Sequence, residues 1–312
     1  MLKRYFSKGI SALLSLSLIL TSVSPDASAV RRNPYNYNSD SERAEKRVKD
    51  KRILGVTVAV GAGIVATAVV AGVIYNKVQR NQINEEVRKY KNRAPDIFEI
   101  EDDVLEKADP KVLLITLRQL NKLFDKYGKF TQWLIKDFSE NREKFTIKFI
   151  KGYSGSTIAS TNLYGINLSR KYYTDRYRMY DLKRDVKSGF KSPTDDDKMI
   201  HRVITHEFGH LLERIYVSNR MKCIQQLDMR SFLAEVDRLG GVGHAHDTMY
   251  SNIRSQIISY ANGNILYDIG EYAMESPGEF FAEAFATMEC STDPRYEYIR
   301  QAVRRTISTW LL

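Results

Sequence analysis

Residues 203–212 read VITHEFGHLL, and the rest of the chain is best read outward from them. On a helix, side chains four positions apart share one face, so His206 and His210 can reach a single ion. Ile200, Ile204, Phe208, Leu211 and Ile215 recur at the helical period and form an apolar stripe on another side. That spacing predicts a helix whose stripe packs on a core while its imidazoles face a cleft. Thr194 with Asp197 three positions later, just after Pro193, predicts a capping box at its start. The chain has only five histidines in 312 residues, so a chance His-Glu-x-x-His is rare.

Two histidines do not complete a hydrolytic zinc site, which takes a third protein ligand and leaves one position for water. Downstream, residues 276–288 read SPGEFFAEAFATM. As a helix this segment places Glu279 and Glu283 on one face, with Phe281, Phe285 and Met288 on the other. Ser276, Pro277, Gly278 and Glu279 also spell a capping box with proline at the first helical position. Spacing therefore leaves two roles open for Glu279, metal ligand and helix cap.

HEFGH at 206–210, EFFAEAF at 279–285, Met288 and then Ser291-Thr292-Asp293 together resemble the protease domain of anthrax lethal factor. The combination is also similar to the related secreted Pro-Pro endopeptidases. The resemblance implies that Glu279 is the third zinc ligand and that Glu283 supports a histidine ligand from behind. It implies that Tyr272, seven residues before the ligand, faces the zinc and stabilises the reacting carbonyl. Relatives of this kind bind the peptide antiparallel to an edge strand, for which Tyr164, Ile166 and Leu168 within 164–168 are the candidates here.

The expected fold is an α+β zincin-like domain with a small twisted sheet, an active-site helix and a mainly helical C-terminal part. The expected activity is zinc-dependent endopeptidase action on a protein or peptide substrate, with Glu207 as general base. The alternative is a catalytically inactive zincin-fold module tethered to a membrane and used for binding. The resemblance is strong over 203–213 and 270–293, weak near 145–169 and absent before 100. Two departures stand out. Positions 211–278 form a longer insert than in those relatives and contain GGVGHAH at 240–246, read as a mobile loop with solvent-facing His244 and His246, the alternative being a second metal site. Nothing resembles the toxin's delivery region, so entry into host cells is not implied.

Before the domain, residues 1–29 read as a secretory signal: Lys3, Arg4 and Lys8, an apolar run from Ile10 to Leu20, then Ala27-Ser28-Ala29. A polar, basic linker over 30–52 leads to 53–75, which carries no charged residue and is long enough for a transmembrane helix. Its glycines and alanines also suit helix-helix contact in membranes. Both flanks are basic, with eight Lys/Arg against four Asp/Glu over 30–52 and six against two over 76–93, so charge does not set the orientation. The chain is expected to be exported and membrane-associated through 53–75, with an extracellular domain favoured. Residues 76–103 read as a juxtamembrane stalk, and the domain as 104–312. Asp109-Pro110 predicts a helix start, with Val112, Leu113, Leu117, Leu120 and Phe124 on its apolar face, and Phe145–Ile150 a strand.

The net charge of +10 is spread among acids without a basic, aromatic-studded stripe, which argues against a nucleic-acid partner. Two cysteines, Cys223 and Cys290, exclude a disulfide scaffold and a cysteine-built zinc finger, and leave open one bridge or two thiols. Oligomeric state is not legible.

Overall fold

The computed structural model describes residues 77–150, 157–162, 164–180, 182–241, 243–263 and 265–310. The expected signal (1–29), linker (30–52) and transmembrane helix (53–75) lie outside the described residues. Among the described residues no helix is long and apolar enough to cross a membrane.

The segment expected as a stalk belongs to the domain. A helix over 77–92 (α1) buries Ile83 and Tyr90, and the strand Phe98–Ile100 (β1) buries both of its apolar ends in the same core. Charge density hid this, because the buried positions are widely spaced among exposed Lys, Arg and Glu. The turn Asp102–Lys107 (α2) follows, then Pro110–Lys126 (α3). Here the predicted start holds: the Asp109 carboxylate accepts from Lys111 N and Val112 N, and the five predicted apolar residues are buried. Gly128–Asn141 (α4) leads to Phe145–Phe149 (β2), Ala159–Asn162 (β3) and Gly165–Leu168 (β4).

These strands form one mixed sheet of order β1-β2-β4-β3. β1 and β4 run parallel to β2, while β3 runs antiparallel to β4, so β1 and β3 are the outer strands. Short helices at Arg170–Tyr173 (α5), Arg176–Tyr180 (α6) and Leu182–Lys187 (α7) carry the chain away from the sheet. The rest is helical: Met199–Gln225 (α8), Met229–Arg238 (α9), Ala245–Tyr260 (α10), Ile265–Asp268 (α11), Pro277–Cys290 (α12) and Glu297–Trp310 (α13). A small mixed sheet with a large helical portion is an α+β architecture, as expected.

Aromatic rings join these layers. Phe124 of α3 meets Phe98 and Phe145 of the sheet and, edge-on at 5.2 Å, Phe208 of α8. Phe208 stacks on Phe285 of α12, and Phe281 meets Trp310 of α13. The predicted stripe of α8 is buried, from Ile200 to Ile215. The start of α8 differs from expectation. Thr194 bonds to Ser192 O, Asp195 accepts from Thr292 N, and a 3-10 turn at Asp196–Lys198 leads into the helix, so no capping box forms there. The Thr194 hydroxyl is taken by the Ser192 carbonyl, and Asp195, not Thr194, stands before the turn, held to the distant Thr292 amide by a tertiary contact that local spacing does not show.

α8 and α12 cross in close contact at Gly209. A Cβ there would lie 3.1 Å from Ala282 Cα and 3.3 Å from Phe285 Cβ, so a side chain at this position would push the helices apart. Gly209→Val is expected to cost about 1–3 kcal/mol or more through overpacking. Chemical denaturation of parent and variant reads the loss.

Candidate metal centre

The crossing brings three donor atoms together. His206 Nε2 and His210 Nε2 are 3.1 Å apart, and Glu279 Oε2 lies 3.1 Å from the first and 3.4 Å from the second. Four ligands in a tetrahedron around zinc at about 2.0–2.1 Å stand roughly 3.3 Å from one another, so this triangle has the dimensions of one tetrahedral face. Two neutral imidazoles with one carboxylate are a donor set that suits zinc. Among the described residues this is the one group of three or more His, Cys, Asp or Glu side chains gathered closely enough to hold a metal. His244 and His246 are exposed and belong to no such group, and His246 sits in α10, not in a loop.

The two readings of Glu279 turn out to be compatible. Ser276 Oγ accepts from Glu279 N at 3.1 Å and caps α12, with Pro277 at the first helical position. The Glu279 carboxylate does not complete the capping box and turns toward the histidines. Burial opposes its charge, but the adjacent His206 and His210 imidazoles outweigh that and hold its pKa far below the usual carboxylate range.

Behind the triangle lies Glu283, wholly buried, with Oε1 3.2 Å from His206 Nδ1. A carboxylate facing Nδ1 favours the ring direction that turns Nε2 toward the triangle. Its Oε2 pairs with the Arg202 guanidinium and accepts from Ser192 N at 2.9 Å, and Lys191 Nζ lies 3.9 Å from Oε1. Burial works against this charge too, yet Arg202 and His206 keep the carboxyl strongly ionised. Lys191 and Arg202 thus stand against the acidity of the site.

Glu207 points from α8 toward the sheet edge, where Thr161 Oγ1 of β3 donates to its Oε2 at 2.7 Å. That hydroxyl orients the carboxylate and leaves its other oxygen available. Tyr272 lies in a 3-10 turn at Glu271–Met274, with its ring centroid 6.1 Å from that of His206. Burial, with the nearby Glu279 and Glu275 charges, raises its phenol well above the ordinary value, so it stays a hydrogen-bond donor. The turn is held by Tyr272 N donating to Phe190 O and by Gly270, whose φ of 93° and contact with the Lys191–Ser192 backbone exclude a side chain. The structure therefore gathers His206, Glu207, His210, Tyr272, Glu279 and Glu283 around one centre.

It does not place the predicted peptide-binding strand at an edge. β4 is bonded on both sides, by β2 and by β3, and Ile166 and Leu168 are fully buried. Tyr164 is exposed in the turn before it. Among the described residues the outer strand on the side of α8 is β3. A strand that alternates apolar and polar residues reads the same in the interior of a sheet and at its rim.

Sequence reasoning missed Thr161, Lys191, Ser192 and Glu213. Glu213, three residues after His210, is buried with Oε1 lacking a protein partner, and burial raises its carboxyl pKa well above the ordinary value. Arg202 lay four residues before His206 on the same face and was the one available signal. Cys223 and Cys290 are both free thiols, the first exposed and the second buried. Comparison with family models, with curated proteins and with solved structures finds no match for this chain.

Arg202→Met leaves Glu283 buried without its closest cation and is expected to cost about 3–5 kcal/mol in chemical denaturation. In metal-free protein, burial disfavours a charged His206, but Glu279 and Glu283 overcome it and raise the imidazole to about 9. The protonated ring therefore stabilises the metal-free fold fully below pH 6.5, its ordinary value, and this contribution is lost as pH rises through about 9. Metal must displace that proton, so calorimetry in buffers of different ionisation enthalpy is expected to show about one proton released per ion at pH 7.

Proposed function

We propose that this chain is a zinc-dependent endopeptidase of zincin type, acting on protein or peptide substrates. The observation that carries the reading is the His206, His210 and Glu279 triangle with a carboxylate, Glu207, on the adjoining helix position. The resemblance of the two helical motifs to lethal-factor-type protease domains supports it. A zinc ion bound there supplies a Lewis acid and brings the pKa of a water toward neutrality.

The chain's own residues then divide the work. Glu207, oriented by Thr161, takes a proton from the attacking water and passes it to the leaving amine. Tyr272 donates a hydrogen bond to the oxyanion that develops on the scissile carbonyl. Glu283 holds His206 in the tautomer that presents Nε2.

The substrate backbone adds to β3. Ser169 N donates to Ile158 O, so in the antiparallel ladder the groups of Ser160 and Asn162 face β4 while those of Ala159 and Thr161 face outward. Arg214 already occupies the outward Thr161 carbonyl, which leaves the remaining outward groups near Glu207 for an extended peptide. The same reading takes the chain to a membrane through residues 53–75 after export directed by 1–29.

The test compares zinc content and peptide cleavage in the full chain and two variants. Glu207→Ala is expected to keep one zinc and lose activity by roughly 10²-fold or more. Glu279→Ala is expected to lose stoichiometric zinc, and full retention there would overturn the ligand assignment in favour of a helix cap alone.

A further inference from the structure

We infer that Lys191 is a positioning residue for Tyr272, acting through its ammonium group against the face of the phenol ring. This inference rests on the peptidase reading for its consequence in turnover, but not for its geometry.

Lys191 lies in the strap of 188–195 that joins α7 to α8. The strap is tied along its length: Gly189 O and Phe190 O accept from Glu271 N and Tyr272 N, Ser192 N donates to Glu283, and Asp195 N donates to Cys290 O. These bonds fix the backbone on either side of Lys191, whose side chain is only 15% exposed. Its Nζ sits 3.0 Å from the centroid of the Tyr272 ring and 3.9 Å from Glu283 Oε1. No closer cation–π contact occurs among the described residues.

A surface lysine covering an aromatic ring is usually mobile and contributes little. Here the ammonium is removed from water and pinned between a ring face and a buried carboxylate, conditions under which cation–π attraction is strongest. Two consequences follow. The ring cannot swing away from His206 without losing the cation. The positive charge on the ring face also draws electron density from the phenol, which makes its O–H a stronger donor toward an oxyanion. Lys191 thereby links Glu283, behind the histidine, to Tyr272, on the reacting side.

The test is a double-mutant cycle in the full chain, with peptide cleavage measured for the parent, Lys191→Met, Tyr272→Phe and the double variant. Lys191→Met is expected to lower kcat about tenfold with KM and zinc content unchanged, and Lys191→Arg to recover most of that loss. In the Tyr272→Phe background the same Lys191→Met change is expected to cost less than about twofold, because its route is already removed. Equal losses in both backgrounds, or a Lys191→Met enzyme within about twofold of the parent, would overturn the inference.

A second measurement needs neither zinc nor activity. After reductive 13C-methylation of the lysines, ring current should shift the Lys191 methyl signal upfield, identified by its absence in Lys191→Arg. The shift should vanish in Tyr272→Leu. An unshifted Lys191 signal in the metal-free parent overturns the inference, whereas a shifted signal in a chain that cleaves no peptide overturns the peptidase reading alone.

Discussion

The contact on which the centre depends is the approach of two helix backbones at Gly209 and Ala282. Side chains of His and Glu are short, and three of their donor atoms can meet within 3.4 Å only if the helices that carry them nearly touch. A glycine on α8 and the small residues of α12 remove the bulk that would hold the backbones apart. The aromatic residues on either side, Phe208 and Phe285, then lock the crossing by stacking and anchor it to the sheet through Phe124. Packing density in the core is thereby converted into positional precision at the centre.

Placing this much acid in a buried region carries an electrostatic cost that the fold answers locally. Glu279 is matched by the two imidazoles, Glu283 by Arg202 and Lys191, and Glu207 by the Thr161 hydroxyl. The cations come from different parts of the chain, one from α8 itself and one from the strap before it. That arrangement makes the strap part of the centre: its backbone seats the Tyr272 turn, one of its amides bonds Glu283, and its lysine spans the two. A connecting segment so heavily bonded is an element of the site's rigidity.

The helical motifs were legible because their chemistry is local. His206, Glu207 and His210 lie within five residues, and a helical period alone puts the two imidazoles together. Glu279 and Glu283 share a face for the same reason, and Asp109 caps α3 as its neighbours predict. The reading failed where a residue's role depends on a distant partner. The segment 76–103 reads as a charged stalk because the sparse apolar positions of its described part acquire a core only when β1 pairs with β2. The resemblance points to 164–168 as an edge strand, whereas pairing on both sides of β4 is decided by which neighbours lie alongside, which a local pattern does not report.

What the sequence by itself determined is therefore the set of candidate donor side chains and the face on which each is presented, since those follow from helix geometry and residue chemistry over a few positions. Only the tertiary structure decided that Ser276 caps α12 while Glu279 turns to the histidines, that β3 is the outermost described strand beside Glu207, and that Lys191 lies on Tyr272. The physical reason is common to all three. Each depends on which surfaces come into contact when helices and strands pack, and contact between residues far apart in the chain is set by the shape of the whole core.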